Sequence, residues 1–98
     1  MRTKQQVTDI LRAHLDKLRE LGLYRIGIYG SLVKGTAHSD SDIDILIALR
    51  DGMETFESYM AIYDLLESLL DGDKVDMVTQ NGLSPYIGPR ILEEVEYV

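Results

Sequence analysis

Tyr29-Gly30-Ser31-Leu32-Val33-Lys34-Gly35-Thr36-Ala37-His38-Ser39-Asp40-Ser41-Asp42-Ile43-Asp44-Ile45-Leu46-Ile47 is the stretch from which the rest of the chain is read. A Gly-Ser turn is followed, after a ten-residue gap, by Asp-Ile-Asp-Ile, and this acid pair opens the apolar run Ile45-Leu46-Ile47-Ala48-Leu49. Side chains two apart on a strand share a face, so Asp42 and Asp44 present their carboxylates together while Ile43 and Ile45 turn to the other side. Two adjacent like charges call for a counterion. Mg2+ takes hard oxygen ligands and is usually held by one or two carboxylates together with substrate phosphates. Exposed edge strands also carry alternating acids, but acids at the mouth of a buried strand are unusual without a use.

The Gly-Ser pair supplies the complementary half. Gly30 follows the apolar stretch Ile26-Gly27-Ile28-Tyr29, reaches backbone angles that other residues avoid, and has no side chain to keep a ligand off the main chain. Ser31 then starts a short helical turn whose free N–H groups favour an anion and whose hydroxyl can add a donor. Read alone, the pair is more often a plain strand-to-helix turn with Ser31 as N-cap. The third element is Lys74-Val75-Asp76-Met77-Val78-Thr79, a short strand by its alternation and β-branched content. An unpaired buried carboxylate is costly, so Asp76 belongs at the sheet surface beside something that compensates it. A metal shared with Asp42 and Asp44 would do so; the alternative is a solvent-facing acid on a half-exposed strand.

Gly-Ser, a spacer, Asp-hydrophobic-Asp-hydrophobic and a lone Asp on a later strand together resemble the DNA polymerase β-like nucleotidyltransferase superfamily. Within it, Ser41-Asp42-Ile43-Asp44 and Val75-Asp76-Met77-Val78-Thr79 are similar to the minimal nucleotidyltransferases, the MNT antitoxins of HEPN/MNT toxin–antitoxin pairs. The resemblance covers residues 25 to 80 in motif detail and is expected to extend to the whole chain. It implies that Gly30 and Ser31 hold the triphosphate of ATP, that Asp42 and Asp44 bind two Mg2+ ions, and that Asp76 shares a metal and accepts the proton of the attacking hydroxyl. Lys34 stands where many MNT proteins have Arg, and lacks the bidentate fork; a phosphate-facing role and simple surface solvation are equally open to it. The implied reaction is transfer of AMP to a tyrosine hydroxyl of a partner HEPN-domain RNase toxin, which silences it. Two alternatives stand beside it: an antitoxin that acts by binding alone, and an adenylyltransferase acting on a small-molecule hydroxyl.

Composition bounds the remainder. A chain of 98 residues suits a single domain, 1–98, near the small end for an enzyme. No stretch approaches a membrane span, the amphipathic N-terminus is unlike a signal core, and the absence of cysteine excludes disulfides and thiolate sites, so a cytoplasmic protein is expected. A net charge of −7, with ten scattered basic residues, argues against an extended nucleic-acid groove.

The order of elements predicts an α+β fold: a small mixed β-sheet with packed helices, the polymerase β-like arrangement. Thr3 and Gln6 form a capping box, and Val7, Ile10, Leu11, Leu18 and Leu21 recur at helical spacing as far as Gly22. Strands are expected over Tyr24–Tyr29, Asp42–Leu49 and Lys74–Thr79. Phe56, Tyr59, Tyr63, Leu66 and Leu70 mark one face of a helix ending near Gly72. Pro89 suits the start of a short helix, and Val95–Val98 an edge strand that could pair with another chain, leaving oligomeric state open. His14 reads as a partly buried packing residue, and His38 as a solvated loop residue, with an approach to the nucleotide as the alternative. The six tyrosines read as core and interface groups, with a pocket-shaping place for Tyr29, beside Gly30, as the alternative.

Overall fold

The Thr3 hydroxyl accepts from the Gln6 N–H, and the Gln6 side chain accepts from the Thr3 N–H, which satisfies two donors that a helix start would leave orphaned. In the computed structural model, which describes residues 2–98, the helix so capped is α1 (Lys4–Ala13), and a second helix, α2 (Leu15–Glu20), follows it. The apolar spacing predicts one continuous helix here, and the break falls at His14. Its ring Nδ1 lies 2.8 Å from the Ile10 carbonyl oxygen, the acceptor that an unbroken helix would offer to the His14 N–H. That N–H turns to the Leu11 carbonyl instead.

The chain continues through β1 (Leu23–Tyr29), α3 (Ser31–Lys34), β2 (Ile43–Leu49), α4 (Phe56–Leu69), β3 (Val75–Thr79), a 3-10 turn at Gln80–Gly82, α5 (Gly88–Glu94) and β4 (Glu96–Tyr97). The strands form one mixed sheet in the order β3-β2-β1-β4. β1 runs antiparallel to both β2 and β4, while β2 and β3 are parallel. A parallel pair needs a crossover, which α4 supplies. The expected small mixed sheet with packed helices is therefore present, with Asp42 and Lys74 lying just ahead of the strands assigned to them.

Each face of the sheet has its own packing. Ile26 and Ile28, Ile43, Ile45 and Ile47, and Met77 bury one face against Val7, Leu11 and Leu18 from the first two helices and Ile62, Leu66 and Leu70 from the α4 region. At about 1.5–3 kcal/mol for each fully buried side chain, this face supplies most of the hydrophobic stabilisation. One detail differs from the helical stripe read in the sequence. Ser58, Ile62 and Leu66 are the buried row of α4, whereas Phe56 is 76% exposed. Phe56 is the first residue after the N-cap Thr55 and lines a cleft at the far end of the sheet, away from the core.

The second face is covered more thinly, by Tyr29, Leu46 and Ile91 with Val78, Leu83 and Val95 around them. The cover comes from the C-terminal segment, with Pro89 in the first turn of α5 as expected. This segment is held by β4, which is shorter than the Val95–Val98 strand read in the sequence and pairs with β1 at Gly27↔Tyr97 and Ile28↔Glu96. Arg25 lies over the Tyr97 ring at 4.2 Å, a cation–π contact. Among the described residues, no helix is long and apolar enough to cross a membrane.

Gly27 is what admits β4 so closely. A Cβ at Gly27 would stand 2.6 Å from Val95 Cγ2 and 3.1 Å from the Glu96 carbonyl oxygen. Gly27→Val should therefore loosen the C-terminal segment, costing about 1–3 kcal/mol as an overpacked site and accelerating tryptic cleavage after Arg90. Unchanged stability and unchanged cleavage would show that β4 docking does not depend on this close approach.

Candidate active site

β1 delivers Tyr29 to its end, and the chain then turns at Gly30 with φ 76° and ψ −145°. That positive φ favours glycine, and space demands it as well, because a Cβ here would run into Asp44 Oδ2. Gly30 is the N-cap of α3, and no side chain caps the turn. Ser31 is thus the first helical residue and not the N-cap of the simpler reading. The turn closes when the Lys34 N–H reaches the Gly30 carbonyl at 3.0 Å, and Gly35 ends it in the left-handed conformation.

Strand register gathers the acids. Tyr29 is paired with Asp44 across β1 and β2, and Asp44 with Asp76 across β2 and β3. Three consecutive strands thus set Tyr29, Asp44 and Asp76 side by side on the thinly covered face. Asp44 is half-buried, Asp76 is exposed, and Asp42 is exposed just ahead of β2. None of the five ion pairs among the described residues includes Asp42, Asp44 or Asp76.

The electrostatic result is visible at Asp44. Burial first, then the charges of Asp76 and Asp42, a hydrogen bond with Asp76 and the charge of Glu94 push its pKa up to about 6. Burial, followed by the charges of Asp44, Asp76 and Glu94, pushes the Tyr29 hydroxyl up to about 12. A cation seated at these oxygens would relieve the repulsion, and a pair of hard carboxylates open to substrate phosphates is a donor set that suits Mg2+. Among the described residues, no three acidic or histidine side chains converge into a ready cage. The structure brings Asp44 and Asp76 together and leaves Asp42 near enough to act through its charge.

The turn itself is held by a residue that sequence reasoning missed. Glu94, the last residue of α5, accepts from the Gly30 N–H at 2.9 Å with Oε1, and its Oε2 lies 3.4 Å from Lys34 Nζ. Ile91, three residues earlier, is buried against the sheet, and residues three apart share a helix face; this spacing is the available signal, once α5 is known to dock here. Lys34 thus holds its ammonium beside Glu94 while its side chain stays largely exposed. The His38 ring accepts from the Asp40 N–H within its own loop. A cleft of about 550 Å3, lined by Tyr24, Leu49, Phe56, Tyr59 and Thr79 among others, lies at the opposite ends of the strands and holds none of these acids.

A family match spans residues 11–98, from α1 through the last strand. The chain belongs to the nucleotidyltransferase domain family. It is similar to the protein adenylyltransferase MntA of Thermococcus cleftensis, with 38% identity over 99 residues that cover 100% of this chain and 98% of the relative. Among solved structures it is similar to a minimal nucleotidyltransferase, with a TM-score of 0.81, 30% identity and coverage of 97% of this chain and 95% of the other. It also matches a crystal structure of a toxin–antitoxin with AMP-PNP at a TM-score of 0.65 and 26% identity, covering 95% of this chain and 69% of that one. The mixed sheet with its packed helices is therefore the minimal nucleotidyltransferase fold, and this nucleotidyltransferase is an enzyme.

The raised pKa of Asp44 gives a directional prediction for stability. A carboxyl whose folded-state pKa lies above its unfolded value near 4 stabilises the fold below that value and loses the contribution as pH rises through about 6. In metal-free buffer, the urea midpoint of Asp44→Asn should lack this loss between pH 4 and 6 and exceed that of the wild type at pH 7. Parallel pH profiles for the two proteins would remove Asp44 as a source of strain.

Proposed function

We propose that this nucleotidyltransferase uses Mg2+ to transfer AMP from ATP to a tyrosine hydroxyl of a partner HEPN-domain RNase toxin in the cytoplasm, and so serves as its antitoxin. The observation that carries this reading is the uncompensated Asp44–Asp76 pair beside the Gly30-Ser31 turn. It puts charge-demanding carboxylates and phosphate-binding donors in one site. Similarity to MntA, a protein adenylyltransferase, along essentially the whole chain supports a protein acceptor. Similarity to a toxin–antitoxin with AMP-PNP supports a toxin as that acceptor and an adenine nucleotide as the donor.

Each side chain then has a task. The Gly30 N–H, the Ser31 hydroxyl and the Lys34 ammonium bind phosphate oxygens and fix the triphosphate at the turn. Asp42, Asp44 and Asp76 would hold two Mg2+ ions, which supply Lewis-acid neutralisation of the charge that develops on the transferred and departing phosphates. Asp76 is exposed, so a macromolecular acceptor can reach it. It takes the proton from the tyrosine hydroxyl as that oxygen bonds to the α-phosphorus and the bond to pyrophosphate breaks. Asp44 lies deeper and stays with the phosphates.

ATP labelled at the α-phosphate, incubated with Mg2+ and the partner, should label the partner, and mass spectrometry should find AMP on tyrosine. Asp42→Asn combined with Asp44→Asn should abolish the labelling; label that persists in this variant would remove the acids from the chemistry. Ser31→Ala should lower transfer by about tenfold, the value of one hydrogen bond to a charged group, with an unchanged circular dichroism spectrum. A variant that unfolds would make Ser31 a structural residue instead.

A further inference from the structure

Glu94 takes no part in the transfer just described, yet it occupies the donors on which the transfer depends. Its two carboxylate oxygens bridge a backbone amide and an ammonium, with the Gly30 N–H at 2.9 Å from one and Lys34 Nζ at 3.4 Å from the other. This is the way two phosphate oxygens would be held by the same groups. One N–H carries one hydrogen, so Gly30 cannot serve Glu94 and a phosphate oxygen at full strength together. The side chain is 20% exposed, and it ends a helix that is anchored independently by Ile91 and by the pairing of β4 with β1. Rotation about its own side-chain bonds can therefore release it while α5 stays docked.

The geometry points to Glu94 as an internal occupant of the phosphate-binding turn, a carboxylate that an incoming triphosphate must displace and whose departure hands Lys34 to the nucleotide. This inference rests on the phosphate-binding reading of Gly30, Ser31 and Lys34. Its consequence is specificity. A singly charged anion offers these donors little more than Glu94 already does, whereas a metal-bound triphosphate brings several charged oxygens and wins the exchange. Glu94 thus sets a threshold against weak anions and lowers the resting affinity for nucleotide.

The test is titration calorimetry with MgATP, in the absence of any acceptor, on the wild type, Glu94→Gln and Glu94→Ala. The Gln side chain keeps an oxygen for the Gly30 N–H but loses the charge that holds Lys34, so it separates occupancy from folding. Both variants should bind MgATP more tightly, with Kd about 3- to 10-fold lower, and the KM for ATP in the transfer assay should fall in step. Inorganic phosphate, weakly bound by the wild type, should gain by at least as large a factor. In 13C-labelled wild type, the Glu94 carboxyl resonance should move when MgATP is added. A Kd unchanged within twofold, or a weaker one, in a folded Glu94→Gln variant would overturn the inference and make Glu94 a structural tie. If wild type and variants all fail to bind MgATP, the phosphate-binding reading of the turn falls with it.

Discussion

Asp44 and Asp76 lie beside each other across two parallel strands, in no ion pair among the described residues, and the rest of the structure determines whether they stay there. Their pairing is a matter of register. A slip of one residue in β2 or β3 would send a carboxylate into the apolar core and an apolar neighbour, isoleucine from β2 or valine or methionine from β3, into the site. The rows Ile43-Ile45-Ile47 and Ile26-Ile28, fully or almost fully buried, hold that register because every alternative exposes them. The hydrophobic face of the sheet thus fixes the electrostatics of the opposite face.

The same constraint explains the neighbourhood of the pair. Asp44 Oδ2 fills the space that a side chain at residue 30 would need, so the glycine and the carboxylate are fitted to each other across two strands. Tyr29, next in register, packs its ring against Leu46 and Ile91 and gives the site an apolar floor. The C-terminal segment closes this side only in part, leaving Asp76 open to solvent. In the proposed function, the half-buried Asp44 beside the turn would hold the nucleotide and the exposed Asp76 would meet the acceptor.

Features governed by near neighbours could be read from the sequence. The capping box at Thr3 and Gln6, the glycine at residue 30, the Asp-x-Asp alternation and the three main strands all follow from local rules. Others depend on contacts between distant parts of the chain. The helix break at His14 comes from a ring-to-carbonyl bond that apolar spacing does not reveal. Phe56 fits the periodicity of α4 yet faces a cleft, because hydrophobic spacing cannot say where a helix overhangs the sheet. Glu94 meets Gly30 across a separation of 64 residues, through a short helix whose docking is set by Ile91 and by a two-residue strand. Nothing in Glu93-Glu94 alone distinguishes the acid that reaches the turn from its neighbour.

The most direct measurement is a crystal structure of the protein with Mn2+ and a non-hydrolysable ATP analogue, with the metal located by its anomalous signal. Metal density should lie against Asp44 and Asp76, with a phosphate oxygen on the Gly30 N–H and Glu94 turned away from it. A nucleotide lodged in the distant cleft beside Tyr24 and Phe56, or metal density away from both aspartates, would contradict the assignment of this face as the site of nucleotidyl transfer.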